Sequence, residues 1–182
     1  RKLYISYQGN FEGKFSAYDY MGLISSEQKK QDVEKLNQIY QEWEPVISKN
    51  NHKDDLLNNI ANEATKELNQ LNELSALSNM DYREFDEKKK SIVLHSKYVY
   101  LFAKEFFEEH NGNSVTVLFN SKEIVIDTFS LIHIMFRHFA GSAKQFDTKK
   151  SFHFDAKIDY NNIPNNIKDI LEKLDQNPEL KT

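Results

Sequence analysis

Cysteine is absent from the 182 residues, which removes disulfide staples, thiolate metal ligands and a cysteine nucleophile at once and leaves the compartment open. No apolar run approaches the roughly 18 to 20 residues of a membrane span, so no membrane role is expected. The first residues, "RKLYISYQGN", carry no apolar core of a secretory signal. A cytoplasmic protein is the default reading, and a start at Arg1 suggests a trimmed or excised fragment. Positive charge is also lacking: the formal net charge is -4 and the isoelectric point about 5.9. A protein that coats nucleic acid by bulk charge is usually basic, so any such site here must be local. The HExxH, P-loop, GxSxG and GxGxxG patterns are missing, as are internal repeats and segments biased enough to read as disordered. The length suits one ordinary domain, or a small domain with a helical appendage.

The first half reads as helical. Residues 3 to 18, "LYISYQGNFEGKFSAY", alternate apolar and polar residues around turn-forming pairs and suggest one or two short strands. Ser25-Ser26-Glu27 then opens a helix whose stripe is Val33, Leu36, Tyr40, Trp43 and Ile47, with Pro45 kinking or ending it. A second amphipathic helix is predicted from about Asp54 to Leu77, with Leu57, Ala61, Ala64, Leu68 and Leu71 on one side. Asn79 and Asp81 punctuate it. A third helix carries Phe85, Ile92, Val93, Val99, Phe102, Phe106 and Phe107 before "HNGN" stops it. Connections this short fold three helices against one another in antiparallel order.

The second half changes period. "SVTVLF" and "EIVID", separated by "NSK", form the clearest β signal and predict a hairpin. Thr128 or Ser130 is expected to cap a short helix through Leu131, Ile134, Met135 and Phe139, ended by Gly141. "SFHFDAKID" alternates as a strand with one buried face should. A last helix follows "NNIPNN", with Pro164 in its first turn and Ile167, Ile170, Leu171 and Leu174 as its apolar side. The fold class that results is α+β: a mainly helical region over residues 1–80, then a small antiparallel sheet packed with helices over 81–182.

Chemistry concentrates in "SLIHIMFRHFAGSAKQFDTKKSFHF", residues 130 to 154, which holds three of the six histidines. His133 and Arg137 are one helical turn apart and share a face, while His138 lies about 100 degrees round from Arg137. On the strand that follows, Ser151 and His153 share one face and Phe152 and Phe154 the other, with Lys149 and Lys150 just before them. Two imidazoles, a guanidinium, an ammonium and a hydroxyl can therefore converge. Metal-free RNA cleavage needs this set: a base for the 2′-hydroxyl, an acid for the departing 5′-oxygen, and fixed cations for the crowded phosphorane. Histidine titrates near working pH, and the planar fork of arginine holds two phosphate oxygens at once. Residues 131 to 160 carry five basic and three acidic residues, whereas residues 25 to 110 carry twelve and seventeen. The local balance is a modest excess of positive charge.

"HIMFRHF" followed by "KKSFH" resembles the His-Ile-x-x-Arg-His signature and the later Lys/Ser/His strand of the barnase/EndoU/colicin/RelE-like (BECR) nucleases, particularly their phage and polymorphic-toxin members. The preceding "LHSKYVYLFAKEFFEEHNGNSVTVLFNSKEIVI" has the same order of a helix and then strands, and the resemblance covers about residues 91 to 175. It implies a small α+β endoribonuclease that needs no metal or cofactor, acting on RNA in the cytoplasm of its own or a target cell. His133, Arg137, His138, Lys150, Ser151 and His153 would be its site residues. A complete sheet would need more strands than one hairpin and one later strand, and residues 3 to 18 are the candidates to supply them.

Plainer readings stand beside this one. His133 between Ile132 and Ile134 fits a structural histidine, Arg137 fits a cation at a helix C-terminus, and Lys149-Lys150 fits a solvated turn. His95 and His110 are assigned to surface or helix-end positions and His52 to a loop; Tyr40, Trp43, Phe106 and Phe107 are assigned to core or interface. A metal site from His133, His138, His153 and Asp155 ranks below the metal-free one, because a five-residue separation on a helix points the first two histidines in different directions. The helical half also suits a non-enzymatic adaptor that binds a protein partner. An acidic inhibitor that mimics phosphate is a third option, weakened by the Lys and Arg interleaved along those helices.

Overall fold

The computed structural model describes residues 26–49, 51–112, 114–137 and 162–176. Five helices and a two-stranded antiparallel sheet follow one another as α1 (Ser26–Ser48), α2 (Asp55–Ser78), α3 (Tyr82–Glu109), β1 (Ser114–Phe119), β2 (Lys122–Asp127), α4 (Thr128–Arg137) and α5 (Ile163–Gln176). The expected strands in 3 to 18, the strand over "SFHFDAKID" and the stop at Gly141 lie outside the described residues.

Each boundary has a local cause. Pro45 sits in the last turn of α1, where its missing amide and its ring bring the helix to a close at Ser48. The Val46 carbonyl left open by that ending accepts from Lys49 N and from His52 Nε2, at 3.3 and 2.8 Å. Asp54 caps α2 by accepting from Leu56 N, and Asn79 ends it in the left-handed conformation at φ 50°. Asp81 caps α3 by accepting from Glu84 N. At the other end of α3 it is Asn111, at φ 56°, that takes the left-handed turn within "HNGN". The β1–β2 turn is two residues, Asn120 and Ser121, both at positive φ, which matches the right-handed twist of a tight hairpin; Lys122 belongs to the second strand. Asp127, rather than Thr128 or Ser130, caps α4: its carboxylate accepts from Ser130 N at 2.7 Å. A residue still in the strand can do this because the strand runs into the helix with no loop between.

Helices α1, α2 and α3 pack on one another, α4 lies against α2 and α3, β2 contacts α4, and α5 covers β1. One buried cluster runs from Trp43 and Ile47 through Ile60 and Leu71, Ile92 and Phe106, Val117 and Ile126, to Met135, Phe136 and Ile163. The core therefore continues across residue 80, and the helices of the first half form the bed on which hairpin and α4 rest. Trp43, Phe106 and Phe107 are core residues and Tyr40 packs at its margin, while Val33 in α1 and Ile170 in α5, read as apolar-face residues, stay exposed. The lone tryptophan donates from Nε1 to Ser96 Oγ at 2.7 Å, so its polar edge is satisfied inside the bundle.

Candidate functional site

An isolated ten-residue helix is marginal in water, so α4 depends on what it touches. Leu131, Ile132, Met135 and Phe136 are fully buried between α2 and α3. Of the remaining residues, His133 faces solvent and Arg137 is half-buried one turn later. The His133 ring lies nearly parallel to that of Phe129, with centroids 6.3 Å apart. Helix geometry sets the Cβ atoms of His133 and Arg137 about 5–6 Å from each other.

Arg137 is engaged with α2. Its Nε is 3.7 Å from Glu63 Oε2 and its Nη1 3.2 Å from Glu67 Oε1. Both carboxylates are deeply buried, with side-chain exposures of 2% and 1%. Lys66, more than half exposed, pairs with the other oxygen of Glu63. Two positive and two negative groups are thus gathered where α4 crosses α2. In so dry a place each carboxylate needs a cation.

A second polar fastening comes from α3. His95 is buried, which corrects its assignment to the surface: it follows Ile92 by three residues and precedes Val99 by four, and so lies within the buried stripe of α3. Burial holds its pKa down at about 4, with the Met135 carbonyl acting in the opposite sense. The ring is therefore neutral near pH 7, and its Nε2–H donates to Met135 O at 3.4 Å, near the end of α4. Phe136 meets the ring edge-on with centroids 5.1 Å apart. His110 ends α3 and His52 lies in the α1–α2 loop, as expected.

Of the six site residues read from the sequence, two fall within the described residues, His133 and Arg137, both on α4 and one helical turn apart. His138, Lys150, Ser151 and His153 lie outside the described residues. Glu63, Glu67 and His95 were missed. Their signal was in the spacing: Ile60, Glu63, Ala64, Glu67 and Leu71 form one unbroken stripe of α2, in which two acidic residues stand at core positions. Among the described residues no three His, Asp or Glu side chains gather as metal ligands, and no helix is long and apolar enough to cross a membrane. A separate open cleft of about 330 Å3 is bounded by Asp54, Leu56, Ala103, Phe107, Asn111 and Thr128, and neither His133 nor Arg137 lines it.

Compared with models of protein families, with curated proteins and with solved structures, the chain matches none.

Proposed function

We propose that the chain is a metal-independent endoribonuclease, of the kind its BECR resemblance implies, with His133 and Arg137 on α4 in its site. The observation that supports this reading is a solvent-facing imidazole one helical turn from a guanidinium anchored by two buried carboxylates. His133 and His153 form the acid–base pair, Arg137 and Lys150 hold the phosphate, and His138 and Ser151 orient or assist. Transesterification through the 2′-hydroxyl gives 2′,3′-cyclic phosphate ends and needs no metal-bound water. A toxin or effector role rests on the resemblance alone.

The test is cleavage of a labelled RNA mixture in excess EDTA by the wild type and His133→Ala. His133 is the cleaner position because it is exposed, whereas loss of Arg137 uncovers two buried carboxylates. EDTA-resistant cleavage to cyclic phosphate ends, lost in a folded His133→Ala protein, is the expected result. A folded wild type that cleaves no RNA in a broad set refutes it.

One observation favours a second reading, the adaptor. The hairpin buries Val117 and Ile126 on one face and turns Leu118 and Val125 outward on the other, and Phe129 at the start of α4 is also exposed. Exposed apolar side chains on one hairpin face suit contact with another protein. The adaptor becomes the better account if RNA is left intact.

A further inference from the structure

We infer that Glu63 and Glu67 are positioning residues for the nuclease site, holding the Arg137 guanidinium in the orientation that meets the phosphate; this rests on the nuclease reading. Three observations carry it. The two carboxylates come from successive turns of α2 and reach a helix some seventy positions later in the chain, so the contact is a tertiary device and not a local helix pair. They approach different nitrogens of the fork as ion pairs, Glu63 at 3.7 Å from Nε and Glu67 at 3.2 Å from Nη1, so the two charges together draw the guanidinium toward α2. A guanidinium has five N–H donors in a rigid plane, and Arg137 keeps 19% of its side-chain exposure, so donors remain to meet a ligand.

Burial supplies the rigidity. A long arginine side chain at a surface has many rotamers, and a catalytic cation must be ordered before the substrate arrives. Glu63 and Glu67 are almost wholly buried and rooted in a helix that is itself packed in the core, so the charges that face Arg137 stand in fixed places. Fastening α4 to α2 alone would not call for two carboxylates, since apolar residues of similar size commonly serve as well or better in such a place. Lys66 beside Glu63 balances the added negative charge, which keeps the cluster from repelling an anionic ligand outright.

The experiment is steady-state RNA cleavage in EDTA by the wild-type chain, Glu67→Gln and Glu67→Asp, with rates referred to the folded fraction measured by circular dichroism at the assay temperature. Glutamine keeps an oxygen that can face Nη1 but removes the charge; aspartate keeps the charge on a shorter arm. The expected result for Glu67→Gln is a fall of about 10- to 100-fold in kcat per folded molecule with KM nearly unchanged, the scale of a misplaced catalytic group. Glu67→Asp is expected to recover part of that loss. An unchanged kcat per folded molecule overturns the inference and leaves the nuclease reading standing. So does a lower KM with unchanged kcat, which marks Glu67 as mere repulsion of the substrate. A wild type that cleaves no RNA overturns both.

Discussion

Replacing Arg137 with methionine isolates the energetics of the α2–α4 junction, because methionine fills a similar volume without a charge. In the native protein the guanidinium stands against two carboxylates that retain 2% and 1% of their exposure. Removing one side of a buried ion pair typically costs about 3–5 kcal/mol, since the charge left behind has neither water nor partner. Lys66 remains beside Glu63, but it is 55% exposed and its contribution is screened. For a chain of this size each kcal/mol lowers the melting temperature by about 2–4 °C, so a drop of about 6–20 °C is expected. The comparison that gives this meaning is the triple variant Glu63→Leu, Glu67→Leu, Arg137→Met, in which no charge is stranded. It should melt close to the wild type or above it. Thermal unfolding at pH 7 followed by far-ultraviolet circular dichroism reads all three proteins. An Arg137→Met protein within about 2 °C of wild type, on that same scale of degrees per kcal/mol, or a triple variant no more stable than the single one, refutes the picture of a dry, charge-balanced junction.

Other outcomes follow from single features. The His95 pKa is lowered from 6.5 to about 4, so the unfolded chain binds the proton more readily; stability is full above pH 6.5 and falls as the pH drops toward 4. The span is worth about 3 kcal/mol, and the slope of stability against pH in that window should be shallower in His95→Leu, read by urea titration at half-unit steps. Asp127→Ala removes the cap on α4 and should cost about 1 kcal/mol. The hydrogen bonds from Ser130 lower the Asp127 pKa below 3.8, so this cost is present above that value and fades as acid protonates the carboxylate. Ser121 sits at φ 60°, where an L residue is strained; Ser121→Gly should raise the melting temperature by about 1–4 °C, and no rise would mean that the turn is already relaxed.

Much of the fold was legible because its signals are local. Asp54 and Asp81 before apolar-periodic runs, Asn79 after one, and two β-branched runs around a short turn each act within a few residues, and the structure has its boundaries there. The cap on α4, expected at Thr128 or Ser130, was misplaced by one or three positions because the sequence does not reveal that β2 and α4 meet without a loop. The site was less legible for a different reason. His133 and Arg137 could be set on one face from helical spacing, but what Arg137 touches depends on the crossing of α4 over α2, which spacing within either helix does not encode. Glu63 and Glu67 look like solvated residues until the stripe around them is counted. His95 shows the same gap: an imidazole is at home on a surface or in a core, and only the packing of Met135 and Phe136 against α3 decides which.

The junction also bears on the order of events during synthesis. When the ribosome has released the chain as far as Glu109, α1, α2 and α3 are all present but α4 is not. The groove that will receive it is then open to water, and a wholly apolar groove in that position would be a sticky surface on an unfinished protein. Glu63 and Glu67 put two charges into this one, and charged residues beside an unavoidable apolar stripe commonly oppose such sticking. Arg137 later brings the opposite charge on the same short helix whose Leu131, Ile132, Met135 and Phe136 fill the groove. The carboxylates thus stand first in an empty berth and afterwards face the one cation its occupant brings.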